Sequence, residues 1–324
     1  MSVLVTGGSG YIGSHVARLL EQRGERVVIV DHHAPNSEMA FRQIDLAGSE
    51  ATAELVQLMQ DENVHAVIHL AAKKQVGESV ERPIWYYQQN VGGLGNLLAA
   101  MEHVGVHKLV FSSSAAVYGE PVSGLAQEDS PTVPINPYGQ TKLIGEWLVS
   151  AAARSNGLKH ISLRYFNVAG SGWDDLADPF ALNLIPIILH RLDRGDMPVV
   201  FGDQYDTPDG TCIRDYVHVL DLAEAHLSAL DALDSPERQH SIFNIGTGTG
   251  TSVLEVVDAI SGAIGRKLEP IIAAARAGDP PRLTADVNRA AQELNWTARY
   301  GLAEIVDSAW RAHQHRSEGL NPRR

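Results

Sequence analysis

The chain has 324 residues, of which 44% are hydrophobic and 20% are charged, and its 39 Asp and Glu outnumber its 26 Lys and Arg. This length and apolar content suffice for one large α/β unit or two lobes, and the interspersed charge excludes collagen, coiled coil and disorder. A formal net charge of −13 without a basic stripe argues against a nucleic-acid partner.

Several features bear on where the protein works. No uncharged apolar run is long enough to span a membrane, so we expect no membrane partner. The N-terminal residues lack a basic segment ahead of an apolar one, so we expect no signal peptide. Cys212 is the only cysteine, which excludes an internal disulfide and any multi-cysteine zinc site. These features together predict a cytoplasmic protein.

Short apolar runs alternate with helical patterns through the first half of the chain. The predicted strands are 2–6, 26–31, 41–45, 66–71, 107–112 and 160–165. The predicted helices run from 11 to about 23, and over 50–60, 85–103 and 138–156. Because apolar strands alternate with helices, we predict a doubly wound parallel sheet that is covered on both faces, a Rossmann-like α/β fold.

The pattern changes after Asn167. Residues 170–180 and 202–212 are rich in Gly, Asp and Pro and predict loops. Helices are predicted at 183–194, 218–233, 251–264, 286–295 and 301–315, and a strand at 241–245. We therefore predict a Rossmann domain over residues 1–168, to which 217–246 returns, and a smaller mixed α/β substrate-binding lobe over 169–324.

The first chemical signal is the segment TGGSGYIG at residues 6–13, between a predicted strand and a predicted helix. Gly7, Gly10 and Gly13 permit a tight turn and the close approach of a pyrophosphate to the helix N-terminus. Asp31 ends the second predicted strand, where a carboxylate accepts hydrogen bonds from both ribose hydroxyls and repels a 2′-phosphate. The segment therefore predicts a dinucleotide site that selects NAD over NADP.

A second glycine run, GTGTG at residues 246–250, also lies between a strand and a helix. No acidic residue ends a following strand. We interpret this run as a structural turn.

The third signal is the segment YGQTK, in which Tyr138 and Lys142 lie one helical turn apart on one face. A tyrosine with its ordinary pKa of about 10 is only ~0.1% ionised at pH 7. A unit charge at about 4 Å, at an effective dielectric constant near 20, contributes ~4 kcal/mol, which corresponds to about three pKa units. Lys142 is therefore a suitable activator for Tyr138 as a base.

The segment FSSSAAVYG follows the end of a predicted strand, where ligands bind in open parallel sheets. A hydroxyl here can bond a substrate oxygen and pass a proton to the tyrosine.

Together the motifs resemble a known family. They are TGGSGYIG, HLAAKKQVGESV, FSSSAAVYG, YGQTK, RYFNVAG, GTCIRDYVHV, FNIGTGTGTSVLEV and ARAGDPP, in this order. They resemble the extended short-chain dehydrogenase/reductases, and among them the UDP-glucose 4-epimerases, over nearly the whole chain. The resemblance implies an isomerase that moves a hydride to and from bound NAD and passes through a transient 4-keto sugar.

The resemblance also implies roles for particular residues. Tyr138 would be the base, Lys142 its activator and Ser114 the third catalytic group. The cofactor ligands would be Gly7, Gly10, Tyr11, Ile12, Gly13, Asp31, Asp45, Leu46, Lys74, Asn90, Tyr138, Lys142 and Tyr165. The UDP-sugar ligands would be Ser114, Tyr138, Asn167, Asn183, Arg214, Arg276, Asp279 and Leu283. Relatives dimerise through helices equivalent to about 85–103 and 138–155, so a homodimer is expected.

Two segments depart from the family pattern. The stretch between Asp31 and Asp45 is shorter than in many relatives, which leaves Asn36 and Ser37 as open candidates for adenosine contacts. Leu283 stands where relatives use residue size to admit or exclude an N-acetyl group. Its intermediate size predicts a preference for UDP-glucose and UDP-galactose, with UDP-N-acetylglucosamine as the alternative substrate.

Other functions remain as alternatives. Nucleotide-sugar dehydratases carry an Asp-Glu pair after the catalytic hydroxyl and decarboxylases carry a Glu, whereas this chain has Ala115-Ala116. A non-catalytic dinucleotide sensor would be expected to lack the Tyr/Lys pair. The histidine pairs 32/33 and 313/315 lack nearby carboxylate or thiolate partners, so we interpret them as solvated loop residues and predict no metal site.

Overall fold

A computed structural model describes residues 1–35, 37–235, 240–276 and 278–320. The strands in these ranges are β1 (Ser2–Thr6), β2 (Arg26–Asp31), β3 (Ala40–Gln43), β4 (Val64–His69), β5 (Lys108–Ser112), β6 (Leu125–Ala126), β7 (Lys159–Tyr165), β8 (Asn167–Ala169), β9 (Val199–Phe201), β10 (Ile213–His218), β11 (Ile242–Ile245), β12 (Gly250–Ser252), β13 (Ile271–Ala273) and β14 (Arg282–Ala285). The helices are α1 (Tyr11–Gln22), α2 (Ala51–Asp61), α3 (Val76–Glu81), α4 (Pro83–Tyr86), α5 (Gly93–Val104), α6 (Pro137–Asn156), α7 (Leu184–Asp193), α8 (Val219–Ala232), α9 (Val253–Ile264), α10 (Asn288–Glu293) and α11 (Leu302–Leu320).

The main sheet has seven strands in the order β11-β7-β5-β4-β1-β2-β3, and every neighbouring pair is parallel. The strand order reverses at β1, because β2 and β3 extend the sheet on one side and β4, β5, β7 and β11 on the other. Crevices at such a reversal, beyond the carboxyl ends of the strands, are the usual ligand sites of open α/β sheets. The predicted doubly wound α/β fold is confirmed.

Both faces of this sheet are packed with apolar side chains. Val3 and Val5 of β1 face one core together with Leu222 of α8, while Leu4 faces the other core together with Leu97 of α5. All five residues of β1 are buried. A strand covered on both faces shows the continuous apolar sequence that predicted it.

The chain beyond Asn167 forms shorter strands. A second sheet follows the order β12-β10-β14-β6, with β8 paired to β10, and β9 pairs with β13. Arg214 of β10 lies opposite Leu283 of β14 in the parallel register. The helices α7, α9 and α11 enclose a separate apolar core around Ile188, Ile260 and Ile305.

The sequence prediction was wrong about several elements. It did not include β6, β8, β9, β10, β12, β13 or β14, because strands of two to six residues with polar neighbours give little periodicity. It also missed α3, and the helix predicted over 85–103 instead begins at Pro83 and contains a π-helical turn, Tyr87–Gly92. The predicted strands 41–45 and 66–71 lie earlier in the chain, at Ala40–Gln43 and Val64–His69.

The interpretation of His313 and His315 as loop residues was wrong, because both lie on α11, and His313 also has a carboxylate partner. For His313, the Nε2 atom is 3.0 Å from Asp193 Oδ1, and the ring stacks on Trp310 at 5.9 Å between centroids. Within the described ranges, no group of three or more His, Cys, Asp or Glu side chains is placed to hold a metal ion. None of the helices in the same ranges combines the length and the apolar character needed to cross a bilayer.

Candidate active site

Two glycines of the segment that joins β1 to α1 are packed too closely to carry a side chain. Gly7 has φ +75°, and a Cβ added to it would lie 2.6 Å from the backbone nitrogen of Ala71. A Cβ on Gly13 would lie 2.0 Å from the carbonyl oxygen of Gly7. The first turn of α1 therefore meets the loop backbone directly, with its N–H groups available to an anion.

Polar groups around this loop fit a dinucleotide. Asp31 at the end of β2 accepts hydrogen bonds from the backbone N–H groups of Ser9 (3.0 Å) and His32 (2.6 Å). The Ser9 hydroxyl is buried and has no hydrogen-bond partner among the described residues. A cavity of about 170 Å³ adjoins the loop, and Ser37 and Asp175 contribute to its lining. An orphaned hydroxyl and a fixed carboxylate beside a glycine cradle are the donors and acceptors that a phosphate and a ribose require.

The other predicted cofactor residues lie at the carboxyl side of the same sheet. Asn90 joins two elements, since its Oδ1 accepts from Lys73 N (2.8 Å) and its Nδ2 donates to Thr141 Oγ1 (3.0 Å) on α6. Lys74 lies near the carboxyl group of Asp178. Burial raises the pKa of this carboxyl, and the positive charge of Lys74 lowers that pKa in part. Tyr11 donates to the Gly170 carbonyl at 2.5 Å.

The predicted cofactor ligands Asp45 and Leu46 differ in exposure. Asp45 is exposed and accepts from Ala47 N at 3.1 Å. Leu46 is buried in the core of the sheet. Asn36 lies outside the described residues.

Helix α6 carries Tyr138 and Lys142 into the interior. Asn136 caps the helix by accepting from Gly139 N at 2.9 Å, and Pro137 occupies its first turn. The two side chains follow on a buried face, with Tyr138 8% exposed and Lys142 3% exposed. Lys142 Nζ donates to the Ser112 carbonyl at 2.8 Å, where β5 ends. The structure thus brings the predicted base and activator to the end of a parallel strand.

Burial governs the protonation of these groups. It raises the pKa of Tyr138, and interaction with the Ser114 hydroxyl lowers that pKa in part. Burial lowers the pKa of Lys142 to about 8, against an opposing effect of Glu146. The simple expectation that Lys142 lowers the pKa of Tyr138 was therefore incomplete, because desolvation outweighs any such effect in this structure. Ionisation of the phenol at neutral pH requires further positive charge at the site.

Ser114 and Tyr165 complete this cluster. Ser114 is buried and caps a short 3₁₀ turn, Ala115–Val117, by accepting from Ala116 N at 3.2 Å. Burial raises the pKa of Tyr165, and nearby Tyr138 raises it further. Ser114, Tyr138 and Tyr165 thus come from three different elements.

Four of the predicted substrate residues, Arg214, Arg276, Asp279 and Leu283, lie in the second lobe. Arg214 pairs with Asp279 at 2.9 Å and donates to the Pro280 carbonyl at 2.8 Å. The guanidinium of Arg276 lies 4.0 Å from the centre of the Phe201 ring. Leu283, opposite Arg214 in register, is half-buried against the core that contains Ala115 and Phe166.

Two predicted substrate residues lie on other elements. Asn167 begins β8 and is paired with Tyr216 of β10. Asn183 is the N-cap of α7, and its side chain makes no capping hydrogen bond.

The second glycine run is a structural turn, as interpreted from the sequence. The buried carboxylate of Asp215 accepts from Thr247 N (2.7 Å) and from Gly248 N (2.9 Å). These backbone N–H groups are therefore already bonded to an anion of the protein itself.

Sequence reasoning missed a buried ion pair next to the tyrosine and lysine. Glu146, one turn beyond Lys142, forms two hydrogen bonds with Arg164 of β7, at 2.8 and 2.6 Å. The i, i+4 spacing from Lys142 to Glu146 was the available signal.

Comparison with known proteins agrees with this geometry. Residues 3–246 match the NAD dependent epimerase/dehydratase family. A UDP-glucose 4-epimerase of Halalkalibacterium halodurans is 41% identical over 99% of this chain and 98% of its own length. The structure of the Brucella ovis UDP-glucose 4-epimerase in complex with NAD has a TM-score of 0.89 and 42% identity, with 95% of this chain and 97% of that chain covered.

A second solved structure shows the same similarity over the full length. The Bifidobacterium longum UDP-glucose 4-epimerase in complex with NAD+ and UDP has a TM-score of 0.88 and 34% identity, with 99% of both chains covered. The matched regions cover 95% or more of this chain and so include both lobes. The chain therefore belongs to the NAD-dependent epimerase/dehydratase family.

Proposed function

We propose that the protein is an NAD-dependent epimerase that interconverts UDP-glucose and UDP-galactose through a transient 4-keto sugar. One observation carries the proposal. Tyr138, Lys142 and Ser114 are buried together where β5 ends, two strands from the glycine loop that follows β1. The similarity to UDP-glucose 4-epimerases over both lobes supports the same function.

The side chains of the protein position the sugar and move a proton. Tyrosinate at Tyr138 takes the proton of the sugar 4-hydroxyl, and Ser114 bonds that oxygen. Lys142 holds a positive charge beside them, fixed by the Ser112 carbonyl. NAD, when bound, supplies the acceptor and donor of the hydride at C4 and the positive charge of its oxidised ring. The 4-keto sugar rotates in the site so that it presents its opposite face. Tyr138 then returns the proton to the 4-oxygen.

We assign the cofactor to the loop of Gly7, Gly10 and Gly13, with Asp31 on the adenosine ribose. The close contacts at Gly7 and Gly13 and the unpartnered Ser9 hydroxyl support this assignment. The remaining cofactor ligands are Tyr11, Ile12, Asp45, Leu46, Lys74, Asn90 and Tyr165. We assign residues 1–168, to which 217–246 returns, to the NAD domain, and the remainder of 169–324 to the substrate lobe.

Arg214 and Arg276 supply the local cations that a UDP diphosphate needs on a protein of net charge −13. A bidentate guanidinium suits a diphosphate, and Asp279 beside Arg214 suits the uridine ribose. Asn167 and Asn183 complete the substrate contacts.

Dehydration or decarboxylation of the same sugars is the rival chemistry. Both need an acid or base at the residues that follow the catalytic hydroxyl. Ala115 and Ala116 occupy these two positions, and Ala115 is buried in the same apolar cluster as Phe166, so no carboxylate of this turn reaches the sugar. This packing favours epimerisation.

The test is to incubate the purified protein with UDP-galactose and no added nucleotide, and to identify the product. We expect UDP-glucose. Tyr138→Phe should retain the fold and NAD binding but lower kcat by about 10²–10⁴-fold, because it removes the phenol oxygen that serves as base. Val133→Ala, which shortens a side chain that is 64% exposed on the loop before α6, is the control and should epimerise normally. Near-wild-type epimerisation by Tyr138→Phe would contradict the assignment.

Substrate choice provides a separate prediction. Leu283 cannot hydrogen-bond a hexose, and it occupies more volume than glycine. Size differences in apolar pockets discriminate by only ~1–3 kcal/mol, which corresponds to about 10–200-fold. Leu283→Gly should therefore raise kcat/KM for UDP-N-acetylglucosamine relative to UDP-glucose. An unchanged ratio would show that Leu283 does not line the sugar pocket.

We further propose that the enzyme works in the cytoplasm as a homodimer. Ile84 of α4 and Trp147 of α6 are 70% and 60% exposed, next to the helices expected to form the interface. Sedimentation equilibrium should give twice the chain mass, and Ile84→Glu combined with Trp147→Glu should give the chain mass. A wild-type monomer at micromolar concentration would refute the dimer.

A further inference from the structure

The buried pair of Glu146 and Arg164 lies behind the proposed catalytic groups, on the sheet side of α6. The two side chains are 3% and 4% exposed, and two hydrogen bonds join them. The NH1 group of Arg164 also donates to Tyr118 Oη and to the Glu128 carbonyl, both at 3.0 Å. Every partner is fixed, so neither charge can turn toward solvent without breaking several hydrogen bonds.

Glu146 also contacts the segment that carries the catalytic hydroxyl. Its Oε1 accepts from Ser113 Oγ at 2.5 Å. Ser113 lies between Ser112, whose carbonyl accepts from Lys142, and Ser114. Glu146 therefore fixes α6, which bears Tyr138 and Lys142, against the strand end that bears Ser114.

We infer that Glu146 is a positioning residue of the reaction, which holds Lys142 as an ammonium and fixes the spacing between Ser114 and Tyr138. This inference rests on the proposed epimerase function. It assigns to Glu146 no contact with substrate.

Stability alone does not account for this pair. Replacing a buried ion pair by apolar side chains of similar volume is often neutral or stabilising, because the desolvation of both charges opposes their attraction. An acidic group one turn from a buried lysine has a more specific effect, since a nearby opposite charge favours the ammonium form.

The other groups around Lys142 do not supply that negative charge. Burial, with a further contribution from Lys142, lowers the pKa of His69 on β4 to about 3, so this ring is neutral at pH 7. Burial raises the pKa values of Tyr138 on α6 and Tyr165 on β7, so both phenols are neutral until the reaction ionises Tyr138. On β5, Lys142 contacts the Ser112 carbonyl and the Phe111 ring, which carry no net charge. Glu146 is thus the carboxylate that favours protonated Lys142.

The first test is the pH profile of kcat for Glu146→Gln, which keeps the shape of the side chain but removes its charge. Activity falls at high pH as Lys142 loses its proton. We expect this alkaline limb to move down by about one pH unit. The KM for UDP-galactose should remain within about twofold, because Glu146 does not touch substrate. An unmoved limb would overturn the inference, even if the variant melts at a lower temperature.

Because Glu146→Gln leaves Arg164 buried without its partner, the double variant Glu146→Gln/Arg164→Gln provides a second measurement. It removes both charges and keeps amides that can hydrogen-bond each other. In the pH profile of kcat, the alkaline limb of the double variant should lie between the limb of the wild type and that of Glu146→Gln. A limb equal to that of the wild type in the double variant would also overturn the inference.

The variant Ser113→Ala tests the positioning role of Glu146 separately from the effect of its charge on Lys142. It removes only the hydrogen bond to Glu146, so kcat should fall about tenfold while the alkaline limb stays in place. Ser308→Ala, which removes another buried hydroxyl in the second lobe, is the matched control and should leave kcat unchanged. Equal kcat values for the two serine variants would refute the positioning role.

These results are distinguishable from failure of the proposed function. If the wild type does not convert UDP-galactose, the proposed function is wrong and no pH profile of kcat can be measured. If the wild type converts it and the limb does not move, only the role of Glu146 is wrong.

Discussion

The buried ammonium of Lys142 is the constraint on which the arrangement of the site depends. A lysine that is 3% exposed must compensate for lost hydration with fixed partners. It donates to the Ser112 carbonyl at 2.8 Å and lies one helical turn from Glu146. These contacts fix α6 against the end of β5 and hold a cation beside Tyr138. The need to satisfy a buried charge thus defines the position of α6 relative to β5, and in the proposed function this geometry serves the proton transfer by Tyr138.

The parallel sheet places the glycine loop close to the serine segment that carries Ser114. The glycine loop follows β1 and the serine segment follows β5, and only β4 lies between these strands. All their carboxyl ends lie at one edge, where the strand order reverses. In the proposed function, a dinucleotide on the glycine loop and a sugar beside Tyr138 therefore meet at this edge of the sheet. Segments that are far apart in the sequence lie close together because parallel strands place their carboxyl ends at the same edge of the sheet.

Sequence reasoning succeeded where local pattern determines structure. The continuous apolar run of β1, the glycines that follow it and the Tyr138/Lys142 spacing each reflect a short-range requirement of backbone or helix. It failed for β9 and β13, which are three residues each and are stabilised by pairing with one another and by burial of Val200 in the core of the lobe, neither of which is local in sequence. It also missed Arg164, because only the folded chain brings β7 beside Glu146. The direction of the Tyr138 pKa shift depends on burial, which the spacing alone does not reveal.

The central claim is that one hydride leaves and returns to the same sugar carbon while Tyr138 moves the proton. The most direct test uses UDP-galactose with deuterium at C4, the purified protein and no added nucleotide. We expect UDP-glucose that retains deuterium at C4, with no exchange into solvent and no accumulation of free NADH. Loss of the label, or NADH formed in proportion to product, would contradict the account and indicate an ordinary dehydrogenase.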